Sequence, residues 1–240
     1  GTAAGSYTVN ATVGGVTKSF ALTNVGNAAK FVLQPATTTA TAGTPMQVTV
    51  QAVDSVGSVV TAYTGTVHFT STDAAAALPA DTTLTAGAKT VSVTWKTAGT
   101  QKLDATDTST AITGTSSLIT VGAASPATVT AVSGTTPQST RVSTSYSTAL
   151  SATVADAYGN LVSGASVTFA TPSSGASGTF AASSGTSTVV ATNASGVATA
   201  STLTANATAG SFNATASASG ATSASFALTN IPLTPTVTAV

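Results

Sequence analysis

Along most of the chain, apolar and hydroxyl-bearing side chains alternate one for one. Gln47–Val53 sets Val48, Val50 and Ala52 on one side and Gln47, Thr49 and Gln51 on the other. Gly65–Ser71 sets Val67 and Phe69 against Thr66, His68 and Thr70. Lys89–Lys96 sets Val91, Val93 and Trp95 against Thr90, Ser92, Thr94 and Lys96. Successive residues of a strand point to opposite faces, so this period of two predicts half-buried antiparallel strands with the apolar sets inward. Farther along, Leu150, Ala152 and Val154 share one face of a strand ending at Asp156. Val167 and Phe169 point inward on the next, and Phe212 and Phe226 belong to closing strands. Glycines such as Gly159, Gly164, Gly178 and Gly196 punctuate these runs at turn-like intervals. No sustained 3.6-residue period occurs, so no helix longer than about one turn is expected.

Self-similarity divides the chain. Ser19–Asn24 reads SFALTN and recurs unchanged at Ser225–Asn230, within a longer match between residues 4–24 and 209–230. Pro126–Val132, PATVTAV, resembles Pro235–Val240, PTVTAV. Asp54-Ser-Val-Gly57 and Asp156-Ala-Tyr-Gly159 each lead to a Val-x-Phe strand, at Val67–Phe69 and Val167–Phe169. The expected layout is the tail of one domain at 1–24, complete domains at 28–122 and 124–230, and the first strand of another at 233–240. About seven short strands per ~100 residues describes an immunoglobulin-like sandwich. The fold class is therefore all-β, with immunoglobulin-like β-sandwich domains in tandem.

Composition narrows the functional classes. Only 5% of residues are charged, all six acids are Asp, and the formal net charge is zero. No basic field is present to attract nucleic acid or anionic lipid. With 42% hydrophobic residues the chain is not of the disordered class, and Ser and Thr take the place of charges on the surface. There is no cysteine, which excludes disulfides and thiolate metal sites. No apolar run approaches the ~18 residues of a membrane span. The opening GTAAGSYTVN lacks the regions of a signal peptide, so an export signal is expected outside this stretch.

Thr148–Phe169, TALSATVADAYGNLVSGASVTF, resembles the group 1 bacterial immunoglobulin-like domains of the invasin and intimin family. TNASGVATA at Thr192–Ala200 and the SFALTN tail are similar to that family too, so the resemblance covers about 124–230 and 1–24. The domain at 28–122, with AYTGTVHFTSTD and LPADTTLTAG, resembles a related module of long bacterial surface proteins. The resemblance implies an extracellular or cell-surface location and a role as stalk or adhesive module, without implying one ligand.

The residues able to do chemistry are few. His68, the sole histidine, falls on an outward strand face, and no G-x-S-x-G elbow exists, so a hydrolytic site is not expected. The domain at 124–230 has a single acid, Asp156, which cannot supply a glycosidase carboxylate pair; its expected partners are the amides of its own turn. For calcium the candidates are Asp104 with Asp107, and Asp73 with Asp81, with no recognised loop motif; they read as solvated loop acids. An intramolecular isopeptide bond needs a lysine. The domain at 124–230 has only Arg141 as a cation, while Lys30 leaves the chemistry open in the domain at 28–122. Sequons at Asn10, Asn193, Asn206 and Asn213 are no more than a Ser/Thr-rich chain produces by chance.

No catalytic, cofactor-binding or metal-binding residue is therefore assigned, and no cofactor is expected. The reading is a non-catalytic structural module of a bacterial surface stalk or filament, with other copies of itself or neighbouring immunoglobulin-like domains as partners. The alternative is an adhesin module gripping a receptor or glycan through loops 72–88 and 171–186. Interfaces favour aromatics, and these loops offer only Phe180. The bare inner face of the first hairpin, including Phe20 and Leu22, is expected to need a cover, with Pro235–Val240 of a neighbouring copy as candidate; the alternative is that the tail folds back on the domain at 28–122.

Overall fold

The computed structural model describes residues 5–24 and 26–233, and every regular element among them is a β-strand. Two structural units divide the chain, residues 1–122 and residues 123–240. The segment Pro235–Val240, expected to open a further domain, lies outside the described residues.

In the first unit, Met46–Val53 runs between Lys30–Pro35 and Ala88–Val93 as the centre of an antiparallel sheet. Thr66–Ser71 and Leu103–Asp107 are central in a second sheet, flanked by Thr82–Thr83 and Thr113–Thr115. Ile119–Gly122 lies between Thr39–Thr41 and Gly99–Gln101. The period-two reading holds residue by residue: Val48, Val50, Ala52, Val67, Phe69, Val91, Val93 and Trp95 are all buried. One boundary differs. The strand expected over Lys89–Lys96 ends at Val93, because the amides of Lys96 and Thr97 turn aside to the Asp73 carboxylate.

In the second unit a five-stranded sheet runs in the order Gln138–Arg141, Ala224–Ile231, Gly210–Ser217, Ser166–Ala170, Ser187–Ala191. A three-stranded sheet holds Thr128–Ala131, Ser151–Ala155 and Val197–Thr199, and Gly178–Phe180 pairs with Leu203–Ala205. Leu150, Ala152 and Val154 from one side meet Val167, Phe169, Ala214 and Phe226 from the other in a single core. The Phe169 and Phe226 rings lie 6.1 Å apart. Burying such side chains gives on the order of 2 kcal/mol each, which is how so weakly charged a chain holds a sandwich.

The two expected contact loops are not continuous loops. Segment 72–88 contains the strand Thr82–Thr83, and segment 171–186 contains Gly178–Phe180. Phe180, the one aromatic put forward for contact, is fully buried. Its neighbours Gly178 and Thr179 pair with Ala205 and Thr204, which turns the ring into the core.

Residues 5–24 form a separate two-stranded hairpin, Gly5–Val13 with Val16–Asn24, turning at Gly14–Gly15. Its strand residues are exposed on both faces, apart from the half-buried ends Gly5 and Asn24.

Candidate functional site

His68 stands on the outward face as expected, its side chain about half exposed, with Nδ1 2.7 Å from Asp81 Oδ1. Asp73, the nearer acid in sequence, turns away from it. The expectation of solvated loop acids fails for Asp73 and Asp107, which are both buried. Asp73 Oδ2 accepts from the amides of Lys96 (2.7 Å) and Thr97 (2.9 Å). Its Oδ1 accepts from the Ala75 amide (2.9 Å) and the Thr97 hydroxyl (2.7 Å). Burial alone would raise this carboxyl, but the amides of Thr97 and Lys96, with the bonds from the Thr97 hydroxyl and the Ala75 amide, hold it below its ordinary value. Asp107 is lowered chiefly by the hydrogen bond from the Tyr63 hydroxyl, against burial and with help from the Ser109 and Thr110 amides. Burial pushes Tyr63 up, reinforced by its bond to Asp107 and by that residue's charge.

Asp104 and Asp107, three apart on one strand, point to opposite faces, so they do not converge on a cation. Asp104 accepts instead from the Thr115 hydroxyl at 2.5 Å. Among the described residues no three His, Asp or Glu side chains group as a metal site would require. Lys30 is exposed at a strand start opposite Val53. Of the sequons, Asn10, Asn193 and Asn213 are exposed. Asn206 is committed to structure: its amide group donates to Gly175 O at 2.8 Å and accepts from the backbone of Ser177 and Thr208.

What the two units share lies at their ends. Each Asp-x-x-Gly turn is closed by its own carboxylate, with the glycine in the left-handed region, Gly57 at φ 90° and Gly159 at φ 84°. Asp54 Oδ1 accepts from the Val56 and Ser58 amides; Asp156 Oδ1 accepts from the Tyr158 and Asn160 amides. The second oxygen does what the sequence did not disclose. Asp54 Oδ2 takes the Gly26 amide at 3.0 Å, and Asp156 Oδ2 takes the Ala124 amide at 2.8 Å. Each turn thus anchors the backbone just ahead of a strand, Lys30–Pro35 in the first unit and Thr128–Ala131 in the second. Burial would raise both carboxyls, yet both are lowered. At Asp54 the Gly26, Ser58 and Val56 amides overcome it. At Asp156 the Asn160 side-chain amide, which donates to Oδ2 at 2.9 Å, does so together with the Ala124, Asn160 and Tyr158 backbone amides.

The far end of each unit is tied to its beginning. Ile119–Gly122 pairs in parallel with Thr39–Thr41, and two backbone bonds extend the ladder: Thr120 N to Thr38 O and Ala42 N to Gly122 O, both 2.9 Å. In the second unit Ala224–Ile231 pairs in parallel with Gln138–Arg141, and Val142 N donates to Ile231 O at 2.9 Å. Asn230, fully buried, secures this exit strand. Its Oδ1 accepts from the Tyr146 hydroxyl at 2.5 Å, and its Nδ2 donates to the carbonyls of Ser177 (2.9 Å) and Thr208 (3.0 Å). Burial pushes the Tyr146 hydroxyl up to about 12. Thr39–Thr41 and Gln138–Arg141 carry little or no apolar alternation, so periodicity alone could not have found this pairing.

No protein-family model matches the chain, and no curated relative does. Among solved structures, the Escherichia coli adhesin FdeC is 22% identical over 98% of this chain and 76% of that one, with a TM-score of 0.50. The Yersinia pseudotuberculosis adhesin InvE is 20% identical over 85% of this chain and 60% of that one, with a TM-score of 0.39. The D0-D1 domain of intimin is 19% identical, covering 83% and 98%, with a TM-score of 0.33. With the strand order described above, the FdeC likeness establishes the fold: tandem all-β immunoglobulin-like sandwiches of the kind found in bacterial adhesins.

Proposed function

We propose that this chain, built of such sandwiches, is a non-catalytic, tension-bearing segment of a bacterial cell-surface or extracellular stalk or filament. The observation that carries the reading is the parallel pairing of an early strand with the exit strand in both units. When the ends of a unit are pulled apart, two parallel neighbours from opposite ends of its chain slide past each other. The hydrogen bonds of the ladder are then strained together, whereas an antiparallel hairpin pulled from its open end yields one bond at a time. Resistance to pulling is governed by the unfolding rate, so a ladder that must break as a whole raises it. The Asp54 and Asp156 anchors and the Asn230 bonds fix the points where force would enter and leave.

Its partners in this reading are neighbouring immunoglobulin-like domains or further copies of itself. FdeC and InvE are described as adhesins, which fits surface display and leaves open a receptor or glycan as a partner of the whole protein. The burial of Phe180 takes from the loops the one aromatic a gripping surface would have used. The test is exchange. In the surface protein that carries this chain, residues 28–230 are replaced by two unrelated immunoglobulin-like sandwiches of equal length. Display and cell binding should survive the exchange; loss of binding with display intact would make this chain the binding module instead.

A further inference from the structure

The hairpin at 5–24 repeats the closing hairpin of the second unit in register as well as in sequence. Gly5 faces Asn24, Tyr7 faces Leu22 and Val9 faces Phe20. In the second unit Gly210 faces Asn230, Phe212 faces Leu228 and Ala214 faces Phe226. Both opening glycines have positive φ, 153° at Gly5 and 142° at Gly210. On the outer face the Ser6 and Thr23 hydroxyls meet at 3.3 Å, as those of Ser211 and Thr229 do at 2.9 Å. The backbone geometry is the same; the surroundings are not. Phe226 and Leu228 are 0% and 1% exposed, whereas Phe20 and Leu22 are 53% and 43% exposed. In the second unit the two outer edges of the hairpin are taken by Ser166–Ala170 and Gln138–Arg141.

A second observation fixes the hairpin's place in an array. The first unit's last strand ends at Gly122, and two residues on the Ala124 amide is caught by Asp156. The hairpin's last strand ends at Asn24, and two residues on the Gly26 amide is caught by Asp54. The hairpin therefore stands to the first unit as the exit strand of the first unit stands to the second.

We infer that residues 5–24 are the closing hairpin of a third immunoglobulin-like unit, whose remaining strands are polypeptide N-terminal to Gly5 in the same protein. Those strands supply an antiparallel neighbour for Gly5–Val13, a short parallel neighbour for Val16–Asn24, and an apolar layer over Tyr7, Val9, Phe20 and Leu22. Val9 stands where the second unit has Ala214, so the covering layer is less bulky at that point. Lys18 stands where the second unit has Ala224, beside the turn, from where its stem can lie on the core edge with the ammonium in water. Failure of this inference would leave the stalk reading of the two complete units untouched.

Two experiments decide it. In the first, residues 5–24 replace residues 210–230 in the 240-residue chain, once unchanged and once with Val9→Ala and Lys18→Ala. At least one of these chains should fold its second unit cooperatively; failure of both would overturn the assignment. In the second, amide exchange across 5–24 is compared between this chain and the longer protein that includes the preceding residues. Protection should rise by about 100-fold or more when the preceding residues are present, as for a frayed segment joining a cooperative unit. Unchanged fast exchange in the longer protein would overturn the inference. So would protection in the 240-residue chain that grows with concentration, because a second copy would then be the cover.

Discussion

Replacing Asp73 by Asn removes a charge and nothing else of its shape. The least costly orientation keeps an oxygen toward the Lys96 and Thr97 amides and puts the new NH2 group where Oδ1 stood. The Thr97 hydroxyl can turn to accept from it, but the Ala75 amide then faces a donor. One lost amide bond and two weakened charge-assisted ones sum to about 2–3 kcal/mol. Trp95 is the chain's only tryptophan, and its Nε1 donates at 3.2 Å to the same Ser71 hydroxyl that accepts from the Asp73 amide. Its fluorescence therefore reports the first unit alone. In urea the Trp95 transition should move down by about 1.5 M, taking a slope of ~1.5 kcal/mol per M. The sign with pH follows from the lowered carboxyl: the stabilisation is present above the unfolded value near ~4 and is lost as pH falls through the folded value. Asp73→Asn should therefore flatten the acid limb of the wild-type stability curve. A midpoint shift under ~0.3 M, or one no larger than that of the half-exposed Asp81→Asn, would refute the reasoning.

His68→Ala should change the same transition by no more than about 0.5 kcal/mol, since a half-exposed hydrogen-bonded pair contributes little; a loss above ~2 kcal/mol would mean a buried, bonded histidine. Tyr146→Phe leaves the buried Asn230 Oδ1 without the hydroxyl that donates to it and should cost the second unit about 2 kcal/mol, read by amide NMR during denaturation. Because the folded-state Tyr146 value is raised to about 12, its stabilisation is complete below the unfolded value near ~10 and disappears as pH climbs toward 12. A second unit whose stability is flat across that alkaline range would contradict the buried hydroxyl.

Much of the sandwich could be read from alternation, because wherever a strand has one face in a core, side-chain type reports direction. Val48, Val50, Val67, Phe69 and Trp95 were placed correctly for this reason. The repeat of SFALTN likewise marked residues 4–24 as similar to 209–230, and both stretches contain an antiparallel hairpin. Thr39–Thr41 and Gln138–Arg141 escaped notice because they alternate weakly or not at all, and their parallel partners come much later in the chain. The acids misled for another reason. Asp73 and Asp107 were expected to be solvated loop acids, yet both are buried and accept from backbone amides. Asp156 does bond the amides of its own turn as expected; what escaped notice is that its second oxygen, like that of Asp54, takes an amide from far along the chain. Which amides converge on a carboxylate depends on how distant segments meet, which local sequence does not state.

The most direct test of a tension-bearing role is to pull the chain from its two ends with a single-molecule instrument. Two separate unfolding events are expected, each lengthening the chain by about 30 nm, as roughly 100 residues at ~3.4 Å each less the folded span require. Thr120→Pro removes the amide that bonds Thr38 O in the parallel ladder of the first unit. It should lower that unit's unfolding force far more than Val93→Ala, a core truncation with a cost of similar order in denaturant. If the two variants lower the force in proportion to their equilibrium losses, or if the wild-type chain stretches without separate events, the parallel ladder does not carry the load.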